Sequence, residues 1–422
     1  MVASEIRALF AVASRPEVVS LAGGMPNLSA LPLDAVADMF RRLVANDGAH
    51  ALQYGSGQGD QVLREQVAGA LMPLVGVAAH PDDVVVTVGS QQALDLVTRV
   101  LCDPGDVVLA EAPSYVGALS VFAAYQARVV HVPMDGLGLD ASALDETLRE
   151  LRGQGVRPKL LYTVPSFHNP AGVTQDAQRR AEVLAVCQRY GVPVLEDDPY
   201  ALLGFDGTVP QALRSMDDTG VVYLGSFSKT FAPGLRVGWA VAPHGLREKL
   251  VLAAEASVLC PPALSQSAVS AYLRETAWLD QVKVFREMYR ERRDALLDAM
   301  ATHLPDGTSW TEPAGGFYSW VTLPDGLDAT VMLPRAVTAR VAYVPGTAFY
   351  AGAAKPLGRR CMRLSYCYPD PERIREGVRR LAAVVEDELD LLHTFGSTVG
   401  GTSAPSARHD VSTSDGPGPE TA

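Results

Sequence analysis

The chain has no run of lysine and arginine, no C-x-x-C pair, no H-E-x-x-H or other metal-ligand spacing, and no long apolar stretch. Each absence excludes a class. With 36 basic against 48 acidic residues and a net charge of −12, nucleic acid and anionic membrane surfaces are unsuited as partners. No span approaches the ~20 apolar residues of a transmembrane helix. The cysteines, Cys102, Cys187, Cys260, Cys361 and Cys367, are odd in number, which suggests neither a disulfide framework nor a zinc site. They read as reduced thiols, and no metal is expected at the eight histidines. Met1 is followed by charged residues rather than an apolar signal core, so a cytoplasmic protein is expected.

What is present is length and alternation. A chain of 422 residues with 48% hydrophobic content exceeds one compact domain, so one large and one small domain are expected. Apolar strands at 84–88, 107–110, 128–132, 160–164, 192–196 and 221–224 alternate with helical spacing through 93–101, 115–126, 142–152 and 176–190. That pattern specifies a mostly parallel sheet covered on both faces. Ligand groups then belong at the carboxyl ends of its strands. A short N-terminal helix over 4–14, a helix at 34–45 and helices near 245–259, 263–275 and 279–303 complete the larger part. Strand-like runs within 313–321, 340–344 and 361–366, then a helix over 371–392, suit a small α+β domain. From 396 to 422 the composition turns to Gly, Ser, Thr, Pro and Asp, and disorder is expected there.

The chemistry-bearing stretch is Gly225–Trp239, which sets Lys229 behind an apolar strand, between Ser226, Ser228 and Arg236. An unprotonated lysine condenses with a carbonyl, and desolvation or nearby positive charge favours that form. Two hydroxyls and a guanidinium also suit a phosphate dianion. The same residues would equally make a solvated Gly/Pro-rich turn. Other strand ends carry matching candidates. Gly89, Ser90 and Gln91 turn a strand into a helix, leaving N–H groups free for an anion. Tyr115 offers a ring to stack on a heteroaromatic group or to join the core. Asn169, before Pro170, is an amide of fixed geometry, while its neighbour His168 has no partner that can be named. Asp197 and Asp198 end a buried strand, where a carboxylate is costly unless paired. Arg363 in a buried strand demands an anion or a structural ion pair. Gly23-Gly24 lets backbone approach a ligand, and Tyr54 stands in the irregular glycine loop Tyr54–Gly59.

These motifs resemble the aspartate aminotransferase fold of pyridoxal-phosphate (PLP) enzymes, fold type I, and within it the class I/II aminotransferases. From about Ile6 to Leu391 the chain is similar to the branch of 2-aminoadipate and aromatic aminotransferases. The resemblance implies a large domain with a mostly parallel seven-stranded sheet at 46–290 and a small domain at 291–395. An arm over 1–45 and a tail over 396–422 complete the chain. It implies PLP held by Lys229, with Asp197 at the pyridine nitrogen and Tyr200 and Asn169 at the phenolic oxygen. Tyr115 would stack on the ring, and Gly89, Ser90, Gln91, Ser226, Ser228 and Arg236 would surround the phosphate. Asp198 would then be a turn or cap residue. Arg363 and Asn169 would take the substrate carboxylate, and the loop at Gly24 would close over the side chain. Arg7, in Ile6-Arg7-Ala8-Leu9, would pair with acidic side chains, and Tyr54 would reach the cofactor phosphate of a second subunit in a homodimer with shared active sites. Expected activity is amino transfer between an L-amino acid, acidic, aromatic or aliphatic, and a 2-oxo acid such as 2-oxoglutarate. The same residues would serve a β-lyase, a decarboxylase or an oxidative deaminase. A transcription regulator's effector domain is the non-enzymatic rival.

Overall fold

The structure, a computed structural model, describes residues 15–395. The N-terminal helix expected over 4–14, Arg7 within it, and the tail from 396 lie outside the described residues. After β1 (Val19–Ser20), α1 (Leu33–Ala51) and α2 (Gln61–Gln66), the strand–helix alternation begins. It runs β2 (Val84–Thr87), α3 (Ser90–Leu101), β3 (Val107–Ala112), α4 (Val116–Ala124), β4 (Arg128–Asp135), β5 (Gly138–Leu139), α5 (Ala141–Gly153), β6 (Leu160–Thr163), α6 (Ala177–Tyr190), β7 (Val194–Asp197), β8 (Val221–Ser226) and β9 (Gly238–Val241). These strands make one sheet in the order β2-β9-β8-β7-β6-β3-β4-β5.

The pairs β3–β4, β3–β6, β6–β7 and β7–β8 are parallel, while β9 runs antiparallel between β2 and β8. Seven strands match the expectation; the eighth, β5, is a two-residue edge piece antiparallel to β4. The central strands are buried along their length, as a sheet covered on both faces requires, and β7 carries Glu196 and Asp197 at its end. Helix starts follow the sequence: Asp140 and Asp176 accept N–H groups of the first turns of α5 and α6, and Gly191 ends α6 in the left-handed region.

Three helices follow, α7 (His244–Val258), α8 (Ala263–Glu275) and α9 (Trp278–His303), and then the second sheet. It comprises β10 (Ser309–Trp310), β11 (Tyr318–Thr322), β13 (Val344–Pro345) and β14 (Cys361–Ser365), antiparallel in the order β10-β11-β14-β13. Helix α10 (Ala329–Thr338) precedes β12 (Val341–Ala342), which pairs in parallel with β1, and α11 (Pro371–Phe395) closes the described chain. The single strand expected over 340–344 is thus two short ones that serve different sheets, with the buried Tyr343 between them. Its hydroxyl donates to Ala329 O. No helix among the described residues is long and apolar enough to cross a membrane.

Candidate active site

A cavity of about 330 Å³ opens where the carboxyl ends of β7 and β8 and the start of α3 face β11 and β14 of the second sheet. Its lining brings together Gly24, Ser90, Gln91, Tyr115, Asn169, Asp197, Tyr200, Ser226, Ser228, Lys229, Arg236 and Arg363. Gly89 stands directly behind, as the residue before α3, at φ +75. A Cβ there would lie 2.4 Å from Arg236 Nη2 and would strain the backbone at this φ, so glycine suits both the turn and the guanidinium's approach to the helix start. The first turn of α3 has no side-chain cap; Gln92 and Ala93 donate their N–H groups to Gly89 O, which leaves those of Ser90 and Gln91 for an anion. Arg236, itself in the left-handed region, donates weakly to Ser228 Oγ and to Val88 O, both at 3.4 Å. A guanidinium with such long contacts keeps its fork free for a phosphate.

Lys229 Nζ donates to Gly24 O at 3.0 Å and lies 5.5 Å from the Phe317 ring centre. Burial pulls its pKa from 10.5 down to about 8, with Arg363 and Arg236 adding to the shift and Cys367 and Asp197 opposing it. The amine thus reaches its reactive, neutral form well below the usual lysine range.

Asp197 is buried at the end of β7. Its Oδ2 accepts from Tyr162 Oη at 2.9 Å, while Oδ1 has no partner. Burial raises its pKa from 3.8 to about 7. A buried carboxylate oxygen without a donor, aimed into a cavity, fits the protonated ring nitrogen of a pyridine. Tyr162 was not singled out in the sequence, because it sits inside an apolar strand and reads as core.

Arg363, on β14, is held from several sides. Nη1 donates to Asn169 Oδ1 at 2.8 Å and Nη2 to Ala22 O at 2.6 Å, while its guanidinium carbon lies 4.2 Å from the Tyr318 ring centre and 5.0 Å from that of Phe349. Its buried Nε has no partner, and no carboxylate within 4.0 Å neutralises it among the described residues. An uncompensated buried guanidinium calls for an anionic ligand. Tyr318 is the principal lining residue that sequence reasoning missed. Its hydroxyl lies 3.5 Å from Tyr200 Oη, and a Cβ on Gly24 would meet it at 2.1 Å, so the Gly23-Gly24 pair makes room for that hydroxyl. Tyr115 lines the cavity with its hydroxyl 3.3 Å from Gln91 Oε1, while also packing on the core beneath α4.

Tyr54, expected to serve a second subunit, is 79% exposed and lines no part of this chain's cavity. Two expectations change. Asp198 is no surface cap: it is 3% exposed, neither oxygen has a partner in hydrogen-bond geometry, and burial raises its pKa to about 6 against the pull of Arg180 and Ser166. Its neighbour Glu196 is buried as well and shares Arg180 at 3.8 Å, so the chain passes through a strand end where three consecutive carboxylates face different surroundings. His168 is no open loop histidine; it is 1% exposed and its Nε2 lies 2.9 Å from Glu111 Oε2. Among the described residues no group of three or more His, Cys, Asp or Glu could hold a metal.

Comparison with known proteins agrees with this geometry. The model of the family described as aminotransferase class I and II matches residues 16–381. The chain is 40% identical over 392 residues to aromatic-amino-acid aminotransferase 1 of Thermococcus litoralis, covering 92% of this chain and 93% of that one. It is 39% identical over 394 residues to the 2-aminoadipate transaminase of Thermus thermophilus, covering 92% and 96%. Among solved structures it is similar to the kynurenine aminotransferase of Pyrococcus horikoshii, in a complex with pyridoxamine phosphate, kynurenine and product. The TM-score is 0.88 at 40% identity, with 92% and 96% of the two chains covered.

Proposed function

The chain belongs to the class I and II aminotransferases and is a PLP-dependent enzyme; on that premise we propose how its residues divide the work. The observation that carries the reading is the convergence in one cavity of a lysine with a depressed pKa, an orphaned Asp197 oxygen and an unneutralised Arg363. Lys229 would hold the cofactor, and Asp197 Oδ1 would take its ring N–H. Ser90, Gln91, Ser226, Ser228 and Arg236, with Gly89 behind them, would bind its phosphate. Tyr115 would flank the ring, and Tyr200 and Asn169 would serve its phenolic oxygen. When bound, the cofactor supplies an electron sink for the bond that breaks at the substrate's Cα. Arg363 forks the α-carboxylate, and Asn169 steadies that fork. Lys229 Nζ, once free, accepts the Cα proton; a base already tethered beside that atom gains the proximity advantage.

The donor is an L-amino acid with an acidic, aromatic or aliphatic side chain, and the acceptor a 2-oxo acid such as 2-oxoglutarate. The relatives' names support that range. So does a wider space of about 750 Å³ that shares Gly24, Met25, Lys229 and Pro233 with the cavity and runs on past Pro26, Leu28 and Tyr368. Arg7 remains the proposed partner of acidic side chains. Purified enzyme offered paired donors and acceptors should release one 2-oxo acid for each amine passed on. Release of ammonia or carbon dioxide in place of that exchange would sink the transfer reading.

A homodimer is proposed, with Tyr54 reaching the second subunit's phosphate; the ring's exposure supports it. Sedimentation of a monomer at micromolar concentration would contradict it. The two sheets support dividing the chain into domains at 46–290 and 291–395, and the pairing of β1 with β12 supports joining the arm to the second. Five cysteines without a disulfide suit a cytoplasmic location.

A further inference from the structure

Glu111 and His168 form a buried pair that no step above uses. Glu111, at the end of β3, is 0% exposed and accepts four donors. Its Oε1 takes Thr163 Oγ1 at 2.6 Å and Gln175 Nε2 at 3.3 Å; its Oε2 takes the backbone N–H of Val164 at 2.9 Å and His168 Nε2 at 2.9 Å. Four donors leave no room for an amide in its place, because a glutamine would turn its own N–H group against one of the two donor pairs. On the far side of the imidazole, Nδ1 accepts the Ala171 N–H at 3.0 Å. The ring's tautomer follows from these partners: the proton is on Nε2.

His168 is therefore a strut between a rigid strand end and the far limb of the loop that carries Asn169. That loop needs one. Phe167 is held at φ +49, a conformation that persists only where surrounding contacts over-determine it. Two backbone bonds, Gly172 N to His168 O and His168 N to Val173 O, close the loop on itself; Arg180 ties its two ends, through Pro165 O, Ser166 Oγ and Gln175 O, and His168 ties its middle, next to Asn169. Asn169 Oδ1 meets Arg363 Nη1, and since a guanidinium only donates, the amide's N–H₂ is turned toward the cavity. Glu111 is tied at its backbone as well: its carbonyl accepts His131 Nδ1 at 2.8 Å, and His131 Nε2 accepts the Ala351 N–H at 2.8 Å. Two residues before Ala351 stands Phe349, whose ring flanks Arg363 and whose carbonyl accepts the Ser114 N–H. One carboxylate residue thus anchors both the amide and the ring that flank the arginine.

We propose that His168, fixed by Glu111, is a positioning residue that sets the Asn169–Arg363 pair for the substrate's carboxylate. The inference rests on the reading of Arg363 as the carboxylate fork. It touches neither substrate nor cofactor itself. A shift of a fraction of an ångström in Asn169 would misdirect the fork, since a binding group works only within about 0.5 Å of its productive place.

The test uses holoenzyme and 3-phenylpropionate, a carboxylate that lacks the amine needed to react. Its dissociation constant is read from the change in the cofactor's visible absorbance. His168→Ala is expected to raise that constant about tenfold, the scale of one lost oriented hydrogen bond to a charged group. The dissociation constant of the cofactor, to which Asn169 adds one contact beside Lys229 and the phosphate cradle, should rise by a clearly smaller factor. His168→Gln and His168→Asn, which each keep one of the two bonds, cover the case in which the alanine variant fails to fold. Each should also weaken the carboxylate selectively. An unchanged carboxylate constant, or one that moves in step with the cofactor's, would overturn the positioning role. The underlying reading fails separately: Arg363→Lys should weaken 3-phenylpropionate by at least as much, because an ammonium cannot reproduce the fork. Unchanged binding in that variant would remove Arg363 as the fork and leave the result at His168 without meaning.

Discussion

At Asp197 two neighbouring forces leave one oxygen bonded and the other waiting. Tyr162 occupies Oδ2, Oδ1 has no donor, and burial disfavours the charge. A ring N–H on Oδ1 would supply the missing donor and keep the carboxylate ionised. Asp197→Asn is therefore expected to keep bound cofactor, through Lys229 and the phosphate cradle, yet lose turnover by at least about a hundredfold, because a neutral amide cannot hold the ring nitrogen protonated. Single-turnover kinetics on holoenzyme check this, and turnover within a few-fold of wild type would move the role elsewhere. Most of the residues on this scale were legible because their chemistry is rare in their setting: a lysine just behind two serines, an arginine in an apolar strand, an amide before proline. Tyr162 and Tyr318 were not, since a tyrosine in a strand looks the same whether its hydroxyl serves a site or only the core. His168 was opaque for a related reason: its partner Glu111 lies 57 residues back and is joined to it only by the pairing of β3 with β6.

Among the elements, the junction of β2 and α3 carries the most chemistry per residue. Gly89 turns the chain at φ +75 and lets Arg236 lie against an uncapped helix start. Gly89→Ala would bring a Cβ to 2.4 Å from Arg236 Nη2 and hold a side chain in the left-handed region, at about 1–2 kcal/mol of backbone strain. Titration of the apoenzyme with PLP should show affinity weakened about tenfold or more, with little change in the affinity for 3-phenylpropionate at the opposite end. The positions of the parallel strands were legible from period and composition, because each carries a short apolar run between helical stretches. The antiparallel β9 was not. Its Gly238–Val241 follows the lysine loop directly and reads as the loop's end, and only its place between β2 and β8 makes it a strand. Likewise nothing local marks the break in 340–344, where Val341 pairs with Val19 and Val344 with Arg363.

Across the whole molecule, the cavity is a place where the fold gives up stability. Lys229 has a pKa of about 8 in the folded apoenzyme against 10.5 when exposed, so below pH 8 its burial costs up to about 3 kcal/mol, less to the extent that the cavity admits water. Between pH 8 and 10.5 the unfolded chain binds more protons at this site than the folded one, so the penalty fades as pH rises. Lys229→Met should accordingly raise the melting temperature of the apoenzyme at pH 7, and the gap should close toward pH 10.5. Equal melting at both pH values would show that the amine is solvated. The two sheets carry this site between them, and the turn from a mostly parallel to an antiparallel sheet was legible from the change in strand–helix pattern after α9.

The most direct measurement is to reduce the holoenzyme with borohydride, digest it and locate the pyridoxyl label by mass. The label is expected on the peptide carrying Lys229 and on no other, and it should vanish in Lys229→Ala along with amino transfer. A label on a different lysine, or a Lys229→Ala variant that still transfers amine, would contradict the assignment on which the whole site is built.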